Sequence, residues 1–487
     1  MHKQDTIVAI ATAWGEAGIA IVRLSGSLAV ELSKSVLRFK AGSGFPPPRL
    51  MRLASLAEDD GSVIDQVLAV YFKSPESYTG EDLVEIHTHG GTLVAQLCVE
   101  SLVRKGARLA EPGEFTRRAF LNGRIDLSQA ESVLGIIRSR SEEALRAAGR
   151  TLLGELSVFA SDIREEILVL QSALEVELDF PEENFSPYRN SAHRGDEEWL
   201  GSISTLRMSL DDLRDRCSVG LLLREGIRVT LTGRPNVGKS SLLNALLKRA
   251  RAIVTAIPGT TRDVIEETVT WQGVPIRLVD TAGLRMLPRA TLIRGTPPGV
   301  TGDFRAHNEI EAMGIERTLD ELRRADICLW ILDISKPLDD EDKSYLANLR
   351  DKDHIVVLNK ADLAVTHPPA ISEEDIRASL PEEMPVVLSI SAKTGDGLEL
   401  LKDAILSKAM GSGALDSGLN VTARQLSEIN EALSCLVLAE TAMAEQKGQD
   451  VVAGLLGAAR ECLERLLGLS YDDALLDSIF SRFCVGK

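Results

Sequence analysis

A glycine-rich loop between a strand pattern and a helix pattern constrains this chain more than any other feature. Residues 231–246 read LTGRPNVGKSSLLNAL, so Gly233 and Gly238 enclose four residues and precede a lysine and a serine. Alternating apolar residues come before the loop and leucines at helical spacing follow it, which is the order of a phosphate-binding loop. Main-chain N–H groups of such a loop cradle phosphates, Lys239 can reach the β- and γ-phosphates, and the Ser240 hydroxyl can bind Mg²⁺. The loop therefore predicts a nucleoside triphosphate site.

The length, charge and cysteine content of the chain limit what surrounds this loop. A chain of 487 residues indicates about three domains. Its net charge of −17 excludes a protein that is basic overall, so any RNA contact requires a local basic patch or a basic partner. Scattered cysteines without a C-x-x-C pair indicate reduced thiols and a cytoplasmic setting, and the first residues do not resemble a signal peptide. No apolar run reaches about 18 residues, so we expect no transmembrane helix and no membrane partner.

The periodicity of apolar residues changes along the chain and predicts a multidomain protein. Residues 1–123 have the patterns of a small α+β domain in the order β-β-α-β-β-α. Residues 124–223 and 410–487 are predicted to be all-α helical, whereas residues 224–409 alternate strands and helices as in an α/β P-loop domain of Ras-like type. We therefore predict that the α/β domain is inserted into one helical domain. An apolar stripe over residues 156–178 fits a coiled coil or a bundle core, and its charge pattern favours the bundle.

Four further motifs follow in the order expected of a guanine nucleotide switch. They are GTTRD at 259–263, DTAG at 280–283, NKAD at 359–362 and SAK at 391–393. A threonine of the first can bind Mg²⁺ and sense the γ-phosphate, and the aspartate of the second can hold a water bound to Mg²⁺. The residues predicted to contact GTP are Asn236, Val237, Gly238, Lys239, Ser240, Ser241, Thr255, Ala256, Ile257, Pro258, Gly259, Thr260, Thr261, Asp280, Thr281, Ala282, Gly283, Asn359, Lys360, Ala361, Asp362, Ser391, Ala392 and Lys393.

The NKAD motif predicts which base is bound. The carboxylate of Asp362 can accept hydrogen bonds from N1–H and from the exocyclic amine of guanine, which adenine cannot supply. The SAK motif, which follows an apolar run, can close over the base. We therefore predict a site that binds GTP in preference to ATP.

The catalytic groups depart from the Ras-like pattern. Leu284 follows the DTAG motif, where Ras-like enzymes carry a water-orienting glutamine. Asn236 offers an oxygen close to the β- and γ-phosphates, and with Thr255, Ile257 and Thr260 it could hold a monovalent cation that stabilises the developing phosphate charge. The alternative for Asn236 is a side chain that only stabilises the turn.

Two histidines lie two residues apart and therefore on one face of a predicted strand. His87 and His89 could form a metal pair, although the sequence shows no third ligand. A purely structural role is the other interpretation.

Together these motifs resemble those of the MnmE (TrmE) family of tRNA-modification GTPases, and the resemblance spans nearly the whole chain. Beyond the nucleotide motifs it rests on DTIVA at 5–9, RLSG at 23–26, SYTGED at 77–82 and EPGEFT at 111–116. The C-terminal FCVGK at 483–487 resembles the closing signature of that family.

The resemblance implies a function that residue spacing alone does not show. It implies a homodimer that joins an FAD-containing MnmG partner in a heterotetramer and adds a carboxymethylaminomethyl or aminomethyl group to carbon five of the tRNA wobble uridine. The one-carbon unit would come from 5-formyl- or 5,10-methylene-tetrahydrofolate, which the N-terminal domain would bind while also forming the dimer. By position, folate would contact Arg23, Glu85, Arg124 and Lys487, with Arg124 standing where relatives often carry lysine.

The resemblance also implies potassium activation and particular metal ligands and catalytic residues. Potassium would be bound by Asn236, Thr255, Ile257 and Thr260, and Mg²⁺ by Ser240 and Thr261. The catalytic candidates are Glu311, which would position water, and Arg262, Asp263 and Cys484. For Cys484 the alternative is a role in packing alone. A long loop-like run separates Leu284 from Glu311, so we expect slower or more partner-dependent hydrolysis.

A ribosome-assembly GTPase is the alternative function, because such factors share the same nucleotide motifs. They usually append an RNA-binding domain with a basic surface or a G-x-x-G loop of KH type, whereas this chain is acidic overall and carries the C-terminal cysteine signature instead. A regulatory switch without further chemistry would leave the charged set of Glu85, Arg124 and Lys487 unexplained, although that grouping rests on the resemblance.

Overall fold

The structure is a computed structural model, and its residues form two compact units. It describes residues 5–40, 44–179, 196–249, 265–280, 324–339, 342, 353–365, 368–379, 386–410 and 417–487. The first unit contains Met1–Ile137, Gly149–Asp211 and Thr422–Lys487, and the second contains Arg138–Ala148 and Asp212–Val421. The chain therefore leaves the first unit and later returns to it.

The strands and helices in the described ranges are numbered in chain order. The strands are β1 (Ile7–Ile10), β2 (Ala17–Ser25), β3 (Leu37–Phe39), β4 (Arg52–Ala57), β5 (Val63–Phe72), β6 (Leu83–Gly90), β7 (Arg108–Leu109), β8 (Ile227–Thr232), β9 (Ile265–Trp271), β10 (Val274–Asp280), β11 (Ile327–Asp333), β12 (His354–Asn359) and β13 (Val386–Ser389). The helices are α1 (Ala29–Val36), α2 (Thr92–Arg104), α3 (Glu114–Leu121), α4 (Leu127–Arg138), α5 (Glu142–Leu152), α6 (Glu155–Asp179), α7 (Asp196–Glu225), α8 (Lys239–Arg249), α9 (Glu373–Ser379), α10 (Leu398–Met410), α11 (Ala423–Ala444), α12 (Gln449–Leu467) and α13 (Asp473–Phe480).

The first unit begins with a mixed sheet in the order β3-β4-β5-β6-β2-β1-β7. Neighbouring strands are antiparallel except β1 and β7, which are parallel. One face buries Val22, Leu24, Val84 and Ile86 in a core shared with Leu102 of α2. The opposite face buries Ile7 and Ala9 against Phe115 of α3 and also carries the polar cluster described below.

The predicted order β-β-α-β-β-α for this part is incomplete, because β3, β4, β7 and α3 are missing from it. β3 has three residues and β7 has two, which is too short for a detectable alternation. β4 reads RLASLA and has apolar residues on both faces, so it lacks the period of a half-buried strand.

The helical part of the first unit is a bundle. α12 packs against both α6 and α11, and Arg207 of α7 forms an ion pair with Glu440 of α11. Because more than two helices share this core, the prediction of a bundle rather than a coiled coil is confirmed. α13 packs Leu476 and Phe480 against Phe120 and Leu127, which brings the C-terminal residues to the α+β part of the same unit. No described helix is long and apolar enough to cross a membrane.

The second unit contains a sheet in the order β13-β12-β11-β8-β10-β9, in which only β9 runs antiparallel to its neighbour. This is the predicted α/β arrangement, so the multidomain fold class of α+β, all-α and α/β P-loop parts is confirmed. Ala144 and Ala147 belong to the core of this unit together with Trp271. Ligands of such sheets bind beyond the carboxyl ends of the parallel strands, and the described residues among those predicted to bind the nucleotide lie at or just beyond the ends of β8, β10, β12 and β13.

Candidate functional site

The phosphate-binding loop joins β8 to α8 and has left-handed backbone at three positions. The φ angle is 142° at Gly233, 67° at Asn236 and 100° at Gly238. A Cβ atom at Gly233 would lie 2.4 Å from the Ile331 carbonyl oxygen, and one at Gly238 would lie 2.3 Å from Nδ2 of Asn359. Both positions therefore require glycine, and asparagine is among the few other residues that tolerate this backbone region.

Lys239 lies at the start of α8 and points back into the loop. Its Nζ donates to the carbonyl oxygens of Gly233 and Arg234, both at 2.8 Å. Burial lowers the pKa of Lys239, and the nearby carboxylate of Asp280 partly opposes this shift. A buried ammonium group held only by neutral carbonyls is well placed to exchange them for phosphate oxygens, which bind it more strongly.

Ser240 and Asp280 form a set of oxygen donors beside the loop. The Ser240 hydroxyl donates to Oδ2 of Asp280 at 3.0 Å. Asp280 is buried at the end of β10, and its Oδ1 has no hydrogen-bond partner among the described residues. Hard oxygen donors with one unsatisfied carboxylate oxygen suit Mg²⁺, so these residues fit the predicted magnesium site.

The NKAD motif contacts the loop from the end of β12, which β11 separates from β8 in the sheet. Nδ2 of Asn359 donates to the carbonyl oxygen of Val237 at 2.9 Å, and Nζ of Lys360 donates to that of Asn236 at 3.0 Å. Lys360 also donates to Oδ2 of Asp333 at 2.7 Å. Burial raises the pKa of Asp333, but hydrogen bonds from Lys360 and a serine outweigh it and hold that pKa below its usual value. The sequence analysis missed Asp333, although its position at the end of β11 places it at the same sheet edge.

The residues predicted to read the base are brought together beside Asn359 and Lys360. The Ser391 hydroxyl donates to Oδ1 of Asp362 at 2.7 Å, and the Ala392 N–H donates to Oδ1 of Asn359 at 3.1 Å. Ser391 is fully buried, which fixes one oxygen of the Asp362 carboxylate while the residue stays partly exposed. Ala361 donates its N–H to a carbonyl of the strand end, and Ser241 and Lys393 are exposed at the margins of the site.

Several predicted residues lie outside the described ranges. They are Thr255, Ala256, Ile257, Pro258, Gly259, Thr260, Thr261, Arg262, Asp263, Thr281, Ala282, Gly283, Leu284 and Glu311. Their roles in binding potassium, magnesium and water remain predictions.

A second polar cluster lies in the first unit, on the face of the sheet opposite to Val22 and Leu24. Nε and Nη2 of Arg23 contact Oε1 of Glu85 at 2.9 and 2.8 Å. The Arg23 guanidinium also lies 5.4 Å from the ring centre of Tyr78 and 5.8 Å from that of Phe115. Burial raises the pKa of Tyr78, against the opposing effects of a hydrogen bond with Thr116 and the charge of Arg23.

The C-terminal tail, residues 483–487, completes this cluster. The N–H of Phe115 donates to the carbonyl oxygen of Lys487 at 3.2 Å, and Nη1 of Arg23 lies 3.5 Å from the carbonyl oxygen of Gly486. Burial lowers the pKa of the Lys487 ammonium group, and the charge of Arg23 adds to this while Glu85 opposes it. Three of the four residues predicted to bind folate, Arg23, Glu85 and Lys487, therefore lie close together, although more than 400 positions separate Arg23 from the C-terminal tail.

Arg124 and Cys484 lie at the border of the cluster. Arg124 is exposed, and its Cγ would lie 3.2 Å from a Cβ atom at Gly80, in the loop that also carries Tyr78. Cys484 is exposed, and its carbonyl oxygen accepts the N–H of Gly113 at 3.4 Å. The contacts of Cys484 hold the tail in place, and a catalytic role for its thiol remains a prediction.

His87 and His89 each contact a different carboxylate. Nε2 of His87 lies 3.4 Å from Oε2 of Glu85, and Nδ1 of His89 lies 2.6 Å from Oδ1 of Asp65. The one described group of three His, Cys, Asp or Glu side chains close enough to share a metal ion is Glu428, Glu431 and Cys462. The described residues thus supply no third ligand to the histidines, and the metal pair left open by the sequence has no support.

We expect Gly486→Ala to release the C-terminal tail. The φ angle at Gly486 is 93°, and an added Cβ would lie 2.2 Å from the carbonyl oxygen of Ile10, so the strain and clash should cost about 1–3 kcal/mol. Hydrogen exchange at the N–H of Phe115, which donates to Lys487, should accelerate. Gly106→Ala is the matched control, because Gly106 has a φ of 111° but nothing within 4 Å of the added atom. Equal exchange in the two variants would contradict the close packing of the tail.

The loop, the oxygen donors and the carboxylate that is predicted to read the base define a P-loop GTPase that binds GTP and Mg²⁺. A profile described as GTP-binding protein TrmE N-terminus matches residues 6–124, and one described as MnmE helical domain matches residues 127–484. The chain therefore belongs to the family of tRNA modification GTPases named MnmE, and it is a GTP hydrolase.

Individual relatives agree with this assignment. The tRNA modification GTPase MnmE of Thermotoga maritima is 39% identical over 99% of this chain and 100% of its own length. The protein of the same name from Heliobacterium modesticaldum is 40% identical over 99% of both chains.

Among solved structures, the G domain of the T. maritima FeoB iron transporter is 27% identical, covering 38% of this chain and 98% of that one with a TM-score of 0.27.

Proposed function

We propose that this chain is a potassium-activated GTPase that modifies carbon five of the tRNA wobble uridine together with an FAD-containing MnmG partner. The one-carbon unit would come from a tetrahydrofolate. The observation that supports this most is the second polar cluster, because it joins Arg23 and Glu85 to Lys487 outside the nucleotide site. A nucleotide switch alone has no use for such a cluster.

The chemistry of the cluster fits a folate. Oε2 of Glu85 is left unused by Arg23 and can accept N–H groups of the pterin ring, as a carboxylate does for guanine. The cations of Lys487 and the exposed Arg124 can bind the carboxylates of the glutamate end. When bound, the folate supplies the one-carbon unit. The exposed Cys484 would lie beside it as the proposed catalytic thiol.

In the nucleotide site the residues of this chain would hold and orient GTP. Ser240 and Thr261 would hold Mg²⁺, Asp280 would hold a water bound to it, and Lys239 would leave the loop carbonyls for phosphate. The side-chain oxygen of Asn236 would bind potassium, and Glu311 would orient water. The cation would thus stabilise the charge that develops on the phosphates, and Glu311 would take the role of the water-orienting glutamine that Leu284 replaces.

A homodimer formed through the α+β part is also proposed. The face of its sheet that carries Arg23 and Glu85 also carries exposed Ile19, Leu53 and Leu68. Trp14 is exposed in the loop between β1 and β2. Leu53 and Leu68 are opposite each other in the register of β4 and β5. Clustered exposed apolar residues of this kind often mark an interface, and a second copy of the chain is the occupant we propose. Heterotetramer formation, a cytoplasmic location and the four-part division at residues 123, 223 and 409 belong to the same proposal.

The proposal is tested by expressing the chain in bacteria that lack their own MnmE. Mass spectrometry of tRNA should show restored wobble uridine modification, and the Lys239→Ala variant should not restore it because it cannot bind phosphate. Unmodified uridines with corrected ribosomal subunit profiles would instead support a ribosome-assembly GTPase.

A further inference from the structure

The two oxygens of the Glu85 carboxylate have different neighbours. Both contacts from Arg23, at 2.9 and 2.8 Å, go to Oε1. Among the described residues, Nε2 of His87 contacts Oε2 at 3.4 Å. A carboxylate anchored at one oxygen can still rotate about its anchor, so the neighbour of the second oxygen decides its orientation.

His87 is built into a position from which it can act on Glu85. The two residues are two apart on β6 and so share a face of the sheet, and the side chain of His87 is only 18% exposed. Ile21 on β2 and Leu68 on β5 lie opposite His87 in the strand register. These apolar neighbours leave Glu85 as the polar partner of the ring, together with the more distant charge of Arg23.

His89 provides an internal comparison. It lies on the same strand and face as His87, but its Nδ1 contacts Asp65 at 2.6 Å and its side chain is 75% exposed. The strand therefore carries one histidine turned to the polar cluster and one turned away from it.

We propose that His87 is a positioning residue that orients the Glu85 carboxylate for the N–H edge of a pterin ring. This inference rests on the proposed folate function of the same cluster. A carboxylate oxygen can accept more than one hydrogen bond, so the Nε2–H of His87 and a ligand N–H can share Oε2. The long 3.4 Å contact can adjust when the ligand arrives, whereas the shorter Arg23 contacts keep the carboxylate anchored.

Calorimetric titration with 5-formyltetrahydrofolate tests the inference. His87→Leu should weaken binding about three- to tenfold, because one hydrogen bond to the carboxylate is lost. His87→Gln keeps a side-chain N–H donor and should restore most of the affinity. His89→Leu is the matched control and should bind within about twofold of the unmodified chain, since its partner Asp65 is outside the cluster. GTP hydrolysis without folate should be the same in His89→Leu as in the unmodified chain.

A double-mutant cycle separates positioning from a general structural effect. In a Glu85→Gln background, titrated at high ligand concentration, His87→Leu should cause little further loss, because the group that it orients has already changed. The same loss in both backgrounds, or no loss in either, would overturn the positioning role. An unmodified chain that binds no 5-formyltetrahydrofolate would refute the proposed function itself and the inference with it.

Discussion

Replacing Asp362 with asparagine is expected to weaken GTP binding about a hundredfold and to make xanthosine triphosphate the better ligand. A carboxylate accepts two N–H groups of guanine, whereas an amide keeps one acceptor and turns a donor toward the other N–H. A loss of about 3 kcal/mol corresponds to roughly a hundredfold in affinity. Xanthine carries a carbonyl in place of the exocyclic amine, and this carbonyl accepts a hydrogen bond from the new amide N–H. Competition between the two nucleotides measures the change in preference.

The geometry of the site makes this test specific. The Ser391 hydroxyl holds Oδ1 of Asp362 at 2.7 Å, so the side chain has a fixed orientation toward the base. Asp403→Asn is the matched control, because Asp403 is exposed on α10 and accepts from Gln272 at 3.1 Å through an oxygen that an amide retains. If Asp362→Asn leaves the preference for guanine intact, another residue reads the base.

Exchanging potassium for sodium at equal ionic strength is expected to slow GTP hydrolysis by about tenfold or more, equivalent to at least about 1.4 kcal/mol in the activation barrier. Leu284 can neither orient nor polarise water, so hydrolysis relies on other groups, and a cation can stabilise the charge that develops on the phosphates. The main-chain oxygen of Asn236 is already held by Lys360 at 3.0 Å. Its side-chain oxygen therefore remains for a cation, and the two alkali ions differ in the oxygen shell that they require. Phosphate release in the two salts measures the effect.

Two variants of matched chemistry accompany the salt exchange. Asn236→Gly should lose the stimulation by potassium while retaining GTP binding, because glycine removes the amide and tolerates the φ of 67° at this position. Asn244→Ala removes the same amide from an exposed position on α8 and should keep the stimulation. Equal rates of the unmodified chain in both salts would refute the cation site, whereas stimulation that survives in Asn236→Gly would refute only the assignment of this ligand.

Much of the nucleotide site could be predicted because its residues lie in short motifs at the ends of strands. Lys239, Ser240 and Asp280 meet as their spacing indicated. Arg234 was not singled out, yet it forms ion pairs with Asp339 and Asp342 beyond the end of β11. Those aspartates lie in a polar stretch without a motif, so no local pattern pointed to the contact.

Local spacing was enough to define the phosphate-binding loop, because its glycines, lysine and serine act within one strand, turn and helix. Only the folded chain assigned part of residues 138–148 to the core of the second unit, where Ala144 and Ala147 pack with Trp271. The folded chain also brought the C-terminal tail to Arg23, whose contact with Gly486 spans 463 positions. Apolar periodicity shows which face of an element is buried but not which distant segment covers it, and so these two results required the tertiary structure.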